Sequence, residues 1–474
     1  MKRVLPRSLL GLGALLLFWN LGRPALWQDE AETALRAESI LETGAPRMTL
    51  NGARVTAQPS LTAHEGNAAG VWTWNTWLPA YLVAASFAVL GRTPLAARLP
   101  FALAALATLF LFWRLFEEDE DAKRPWAAQA GLALLVLSPA FLLFARQARY
   151  YALTALGAVL VMRAWRRMLD GKAGGALALV LALQFLLHSS FAFFAVALAV
   201  VGVDALARSA AKRSKGLGVA AAATAALSLP VFWYFRVWDR PGNHAYGPAE
   251  ALEFLKTFLL WIALFAVPAL LPAIAALRKR APVPVLLGFV LLCGLVAEGF
   301  WSRAAAAAAF AWIAAQAALA PPGSLRRLSW LWLAAGLGLL SLSAAEPYGR
   351  YLMCLLPPLA YLGGRWLSQA AAGRPAAMAA LAVLLLSTNW LACLPLKAAA
   401  AIAGPRAPAQ TVSGMMRQRL RDVGPRSDLA RLLGELARGP RGYVERAAAA
   451  IKAGGGGTVF SDADNLSLMF AVGA

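Results

Sequence analysis

Apolar runs of roughly 16–22 residues recur along almost the whole chain, and that is the length needed to cross a bilayer core. In lipid every backbone polar group must be paired internally, so runs of this kind pack as one bundle of membrane helices. Composition agrees: 60% of the 474 residues are hydrophobic, and the mean hydropathy is +0.60. The reading is an all-α polytopic membrane protein. Its spans fall near 8–26, 95–116, 127–145, 151–166, 175–190, 191–207, 217–235, 257–277, 283–300, 304–319, 329–345, 351–367 and 376–395, thirteen in all.

Sidedness tests that count. With Met1 cytoplasmic, alternate loops carry Arg163-Arg166-Arg167-Lys172, Arg208-Lys212-Arg213-Lys215, Arg278-Lys279-Arg280 and Arg326-Arg327, short and basic as the positive-inside pattern requires. The formal charge of +21 is thus explained by topology, since a nucleic-acid partner would call for a basic stripe on a soluble face. Residues 76–90 are apolar enough to span, but counting them inverts every later loop. They are read instead as lying in the external interface, with Trp72, Trp74, Trp77 and Tyr81 at headgroup level. The first external loop then runs from about 27 to 94.

The acidic run Glu117 to Asp121 reads as a solvated cytoplasmic loop. Cys293, Cys354 and Cys393 have no paired spacing and read as buried small residues. Met1-Lys2-Arg3 before Leu9 to Trp19, with no Ala-x-Ala site after Asn20, reads as a retained first span. The transmembrane unit is placed at 1–395 and a short external tail at 396–474. The tail runs through a helix-prone stretch, Gly454 to Gly457, a strand-like Thr458-Val459-Phe460 and a second apolar stretch, Leu466 to Phe470. It reads as a small α/β appendage; its glycines lack the Lys-Ser/Thr of a phosphate loop.

Acidic side chains against a bilayer are costly, so the cluster Asp29, Glu30 and Glu32 after the first span is a site candidate. It opens an amphipathic helix over Ala31 to Leu41, and Asp29 also suits an N-cap with Glu32 reaching back as in a capping box. On the same side lie Arg146-Gln147-Ala148-Arg149-Tyr150-Tyr151 and Glu346-Pro347-Tyr348-Gly349-Arg350-Tyr351. Arginine at the bilayer edge either snorkels or binds phosphate through its planar fork. His188, in an apolar hairpin, reads first as a turn residue, and His64, Glu65 and His244 give no clear ligand set for a divalent metal, so no cofactor is assigned. A carboxylate acting as general base on an acceptor hydroxyl, beside arginines holding a phosphate leaving group, suits glycosyl transfer from a polyprenyl-phosphate sugar. A single displacement would invert the anomeric centre and needs one base.

Taken in order, Trp27-Gln28-Asp29-Glu30-Ala31, Trp72 to Pro79, Gly91 through Arg98-Leu99-Pro100, Arg146 to Leu153, and Arg350-Tyr351-Leu352 with Pro357-Pro358 resemble the GT-C glycosyltransferases of the protein O-mannosyltransferase and aminoarabinose-transferase type. The resemblance covers residues 8–395. It implies a GT-C-like bundle with interfacial helices in the first external loop, a polyprenyl-phosphate sugar donor, and a lipid, glycan or protein acceptor. It also implies Asp29, then Glu30, as catalytic base. Arg98, Arg149 and Arg350 become donor-phosphate candidates and Tyr150, Tyr151 and Tyr351 pocket residues; Arg146 and His188 complete the substrate-binding set. Together with the sidedness this gives a multi-pass protein of a bacterial inner membrane with a periplasmic tail. One departure is visible: where many members carry Lys-Pro-Pro or His-Pro-Pro before the second interfacial helix, this chain reads Asn75-Thr76-Trp77-Leu78-Pro79. The competing classes are a transporter or flippase of a lipid-linked saccharide, a catalytically inactive scaffold, and a polysaccharide ligase or polymerase. A carrier would place charges near midplane in repeated halves, and no internal repeat is visible.

Overall fold

Helices account for nearly all the regular structure in the computed structural model, which describes residues 4–55, 65–118, 126–208, 216–239, 247–265, 282–344, 347–371, 374, 376–377, 379–380, 383, 390–403, 427–438, 442–453 and 465–472. The described residues form nineteen α-helices and one two-stranded hairpin. Helix α1 (Val4–Phe18) enters a long loop holding α2 (Gln28–Thr43) and α3 (Leu78–Leu90), followed by α4 (Pro94–Glu117). Thr49–Leu50 and Ala53–Arg54 pair antiparallel around Asn51-Gly52, with φ of +49° and +78°. Positive φ at both central residues is what a two-residue hairpin with right-handed twist requires.

The remaining bundle is α5 (Ala127–Val136), α6 (Pro139–Ala145), α7 (Tyr151–Leu169), α8 (Gly175–Ser189), α9 (Phe191–Leu206), α10 (Leu217–Phe235), α11 (Pro248–Phe265), α12 (Pro282–Val296), α13 (Phe300–Leu319), α14 (Leu325–Ser343), a 3-10 turn over Gly349–Leu355, α15 (Leu356–Ala370) and α16 (Trp390–Ala403). By length and composition α4 and α10 are each long and apolar enough to cross a membrane. The pair α5–α6, bent by 54°, makes a third if taken as one span. The single span expected over 127–145 is therefore broken: Leu137 closes α5, Ser138 accepts a bond from the Phe141 N–H, and Pro139 opens α6, the sequence order of a stop followed by a fresh N-terminus.

Two packing details bear on the site. Pro100 lies inside α4 and cannot bond the carbonyl four residues back. That carbonyl, on Ala96, accepts instead from the Ser86 hydroxyl of α3 at 2.6 Å, so the break ties α3 to α4. Helices α5 and α15 meet backbone to backbone: a Cβ on Gly364 would lie 2.5 Å from the Gly131 nitrogen. Elsewhere in the bundle the fully buried Asp204 accepts from Trp165 Nε1 (2.9 Å) and the Gly323 N–H (3.0 Å) and pairs with Arg327 (2.9 Å), locking α7, α9 and α14 at one end.

In the tail the described elements are all helices. They are α17 (Asp428–Arg438), α18 (Tyr443–Ala453) and α19 (Asn465–Val472). The apolar stretch Leu466 to Phe470 is helical, with Leu466, Ser467, Leu468 and Phe470 buried. A short apolar run has no period long enough to separate strand from helix, and contact with α2 decides it. Thr458-Val459-Phe460 and the four glycines before them lie outside the described residues, as do His64, His244, Glu346, Asp119 to Asp121, Lys212 to Lys215, Arg278 to Arg280, residues 266–277 of the span expected at 257–277 and nine residues of the span expected at 376–395.

Candidate active site

Helix α2 starts three residues before the expected Ala31 and carries an unusual load, because Glu30, Glu32, Thr33, Arg36 and Ser39 are all buried. Polar groups taken out of water must find partners, and the partners define the site. The cap is made differently from the expected one: Trp27 is the N-cap residue, and Glu30 at the third helical position, not Glu32, accepts from the Trp27 N–H at 3.3 Å. Gly44, at φ +77°, ends the helix in the left-handed conformation that favours glycine.

Glu30 is 1% exposed and fully engaged. Arg98 donates from Nε to one carboxylate oxygen (2.8 Å) and from Nη2 to the other (2.6 Å), and the Ala148 N–H adds a bond of 2.8 Å. The remaining Arg98 donors go to the carbonyls of Leu21, Pro24 and Ala25. This pair pins α2, α4 and the loop after α6 together. Arg146 likewise donates to the Leu16 and Trp19 carbonyls at the end of α1 (3.0 and 2.6 Å). Burial, with Arg98 nearby and only Glu30 opposing, pushes its pKa down to about 10.

Asp29 is held quite differently. Its Oδ2 lies 3.8 Å from Arg149 Nη2 and 3.7 Å from Arg350 Nη2, within ion-pair range of both yet beyond hydrogen-bond length. Arg149 is anchored from behind by Glu32 (3.1 Å), the Asp29 carbonyl (3.2 Å) and Thr33 Oγ1 (3.3 Å). Burial acts against its charge, but Asp29 and Glu32 outweigh that and raise its pKa. Burial also acts to raise the Glu32 pKa, but Arg36, bonded at 2.8 Å, and Arg149 hold it below the ordinary value. Arg350 rests over the rings of Tyr348 (4.2 Å), Trp27 (5.3 Å) and Tyr351 (5.7 Å), a cation held by aromatic faces. Burial drives the Tyr150 hydroxyl well above its usual range, so it stays a neutral donor; its ring lies 4.8 Å from that of Tyr151.

Of the residues picked out in sequence, Asp29, Arg149, Tyr150, Tyr151, Arg350 and Tyr351 are brought together. Glu30 and Arg98 bind each other just behind them, and Arg146 faces α1. His188 is exposed in the last turn of α8, and none of these contacts reaches it. Sequence reasoning missed Glu32 as a partner of Arg149, together with Thr33 and Arg36. The signal was present, because Glu32 and Arg36 are four apart, as are Asp29 and Thr33, and such pairs share a helix face. Among the described residues no group of three His, Cys, Asp or Glu side chains is placed to hold a metal.

No protein-family model and no curated protein matches the chain by sequence. Two solved structures do match in fold. The crystal structure of ArnT from Cupriavidus metallidurans bound to undecaprenyl phosphate covers 98% of this chain and 84% of its own, at TM-score 0.57 and 16% identity. The structure of the same protein in the apo state covers 98% and 83%, at TM-score 0.53 and 13% identity. Over nearly its whole length, then, this chain has the helical fold of ArnT, the kind of fold that the ordered motifs implied.

Proposed function

We propose that this protein is a membrane glycosyltransferase that moves a sugar from a polyprenyl-phosphate donor to a hydroxyl or phosphate of a lipid, glycan or protein acceptor. The observation that carries the reading is the Asp29 carboxylate flanked by Arg149 and Arg350 at 3.8 and 3.7 Å. The undecaprenyl phosphate bound by the ArnT structure of like fold supports the donor class. In this reading the chain crosses the membrane thirteen times with its N-terminus in the cytoplasm. Helices α2 and α3 then lie in the external interface.

The chemistry is a single displacement. The acceptor oxygen attacks the anomeric carbon, the bond from that carbon to the phosphate oxygen breaks, and the acceptor proton passes to Asp29. The polyprenyl phosphate leaves with its charge offset by Arg149 and Arg350. Inversion follows from one attack with one base. Glu30, whose oxygens are filled by Arg98, Ala148 and Trp27, positions α2. Arg98 and Arg146 brace the loop on which Arg149 stands.

The test is transfer by purified Asp29→Asn protein in detergent, with decaprenyl-phosphate sugars as donors and an envelope lipid extract as acceptor. Turnover is expected to fall by about 10²–10⁴ with folding intact. Transfer at the wild-type rate would overturn the assignment, and lipid translocation in liposomes without glycosylated product would favour a carrier.

A further inference from the structure

One turn along α2 from Asp29, a cavity of about 20 Å³ is lined by Thr33, Arg36, Trp72, Thr76, Arg149 and Tyr150. Several buried polar atoms on its walls have no hydrogen-bond partner: Arg36 Nε, Trp72 Nε1, Thr76 Oγ1 and Arg149 Nε. Thr76 and Trp72 are 2% and 6% exposed. Leaving such donors unpaired is costly, so their clustering around one space points to a ligand atom that accepts. The walls are built firmly. The Arg36 guanidinium lies 4.0 Å above the Trp72 ring, the Trp72 carbonyl accepts from Trp77 Nε1 (2.8 Å), and the Thr76 N–H is bonded to Asn75 Oδ1 (3.0 Å).

Size and charge narrow the ligand. A space of this volume admits about one water-sized group, too little for a sugar ring or a phosphate. The two guanidinium groups on its wall are already matched by Glu32 and Asp29, so no excess positive charge calls for an anion. A neutral oxygen that both accepts and donates fits: the N–H groups donate to it, and Thr76 Oγ1 takes either role. Arg149 is shared with the Asp29 cluster, and Thr33 donates to the Asp29 carbonyl at 3.2 Å, so one helical turn, about 5–6 Å, separates the two places. That is the width of one sugar ring.

We propose that this cavity receives a single hydroxyl or hydroxymethyl arm of the sugar lying against Asp29 and thereby selects which sugar is used. The inference rests on the glycosyl-transfer reading and adds the side from which the ring is read. The arm belongs either to the donor sugar or to an acceptor sugar. Asn75-Thr76-Trp77 carries no charged side chain, so recognition from this side of the cavity is neutral.

The test is a deoxy scan. Decaprenyl-phosphate glucose, galactose and mannose, each with its 2-, 3-, 4- and 6-deoxy counterparts where these differ, are compared with wild type, Thr76→Val, Trp72→Phe and the hydroxyl-retaining Thr76→Ser, with the envelope lipid extract as acceptor. For a donor arm, wild type is expected to lose roughly tenfold or more in kcat/KM on removal of one particular hydroxyl. Thr76→Val flattens that discrimination to within about threefold and Thr76→Ser restores it, the coupling expected of groups in contact. For an acceptor arm, discrimination among donors is unchanged, while the two apolar variants raise the KM for the acceptor extract and Thr76→Ser does not. Both results support the cavity. Variants that lower all rates alike, or change nothing, overturn it while leaving the transferase standing. A wild type that turns over none of the donors overturns the transferase reading and this inference with it.

Discussion

Two neighbouring carboxylates, Asp29 and Glu30, are equivalent in sequence and opposite in structure. Glu30 accepts four bonds in a buried setting, whereas Asp29 keeps its oxygens open between two cations. The consequence is measurable as stability. Glu30→Gln leaves the Arg98 charge buried without its partner and is expected to cost about 3–5 kcal/mol, read as a lowered unfolding midpoint in detergent. The double change Glu30→Gln with Arg98→Met should recover part of the loss, because removing both charges removes the desolvation cost along with the attraction. Asp29→Asn should leave that midpoint nearly unmoved. Sequence could place both acids at the membrane surface. It could not rank them by environment, since the ranking depends on Arg98, 68 positions further on.

Among the elements, the tail acts on α2 more directly than its place in the chain suggests. The Leu466 N–H donates to Gln28 Oε1 (3.2 Å), the residue before Asp29, and the Ala25 N–H donates to Glu445 Oε1 (2.9 Å). Phe470 stacks on Phe87 of α3 at 6.1 Å and lies beneath Arg92 at 4.3 Å. Removing 465–474 is therefore expected to lower kcat by about ten- to a hundredfold with the bundle still folded. Near-ultraviolet circular dichroism or Trp emission of the purified truncate, compared with its transfer rate, checks both halves of that statement. Element existence was legible wherever apolar runs were long: α4, α7, α8, α9 and α10 lie within a few residues of the expected spans. In the tail, Leu466 to Phe470 is too short for its period to be read, and there it forms a helix packed against α2. The broken pair α5–α6 was signalled by Ser138-Pro139, a cap and a helix start inside one apolar run.

For the whole molecule, sidedness is the claim that everything else hangs on, and it was read entirely from where the arginines and lysines fall. In the proposed topology Ala69 lies outside and Lys172 inside, and both are exposed. With the native cysteines replaced, Ala69→Cys should react with a membrane-impermeant maleimide in intact cells and Lys172→Cys only after lysis; the reverse pattern would undo the thirteen-span arrangement. The spacing of Asp29 from its two arginines has one more consequence, for the order of events. Without donor, Arg149 and Arg350 both face Asp29 Oδ2 at ion-pair distance, and in the proposed reaction a donor phosphate that draws them toward itself would leave that oxygen clear to meet the acceptor hydroxyl only once the donor is seated. On the glycosyl-transfer reading the protein should then follow a compulsory sequence, donor before acceptor. Product-inhibition patterns would show it: polyprenyl phosphate would compete with donor at every acceptor concentration.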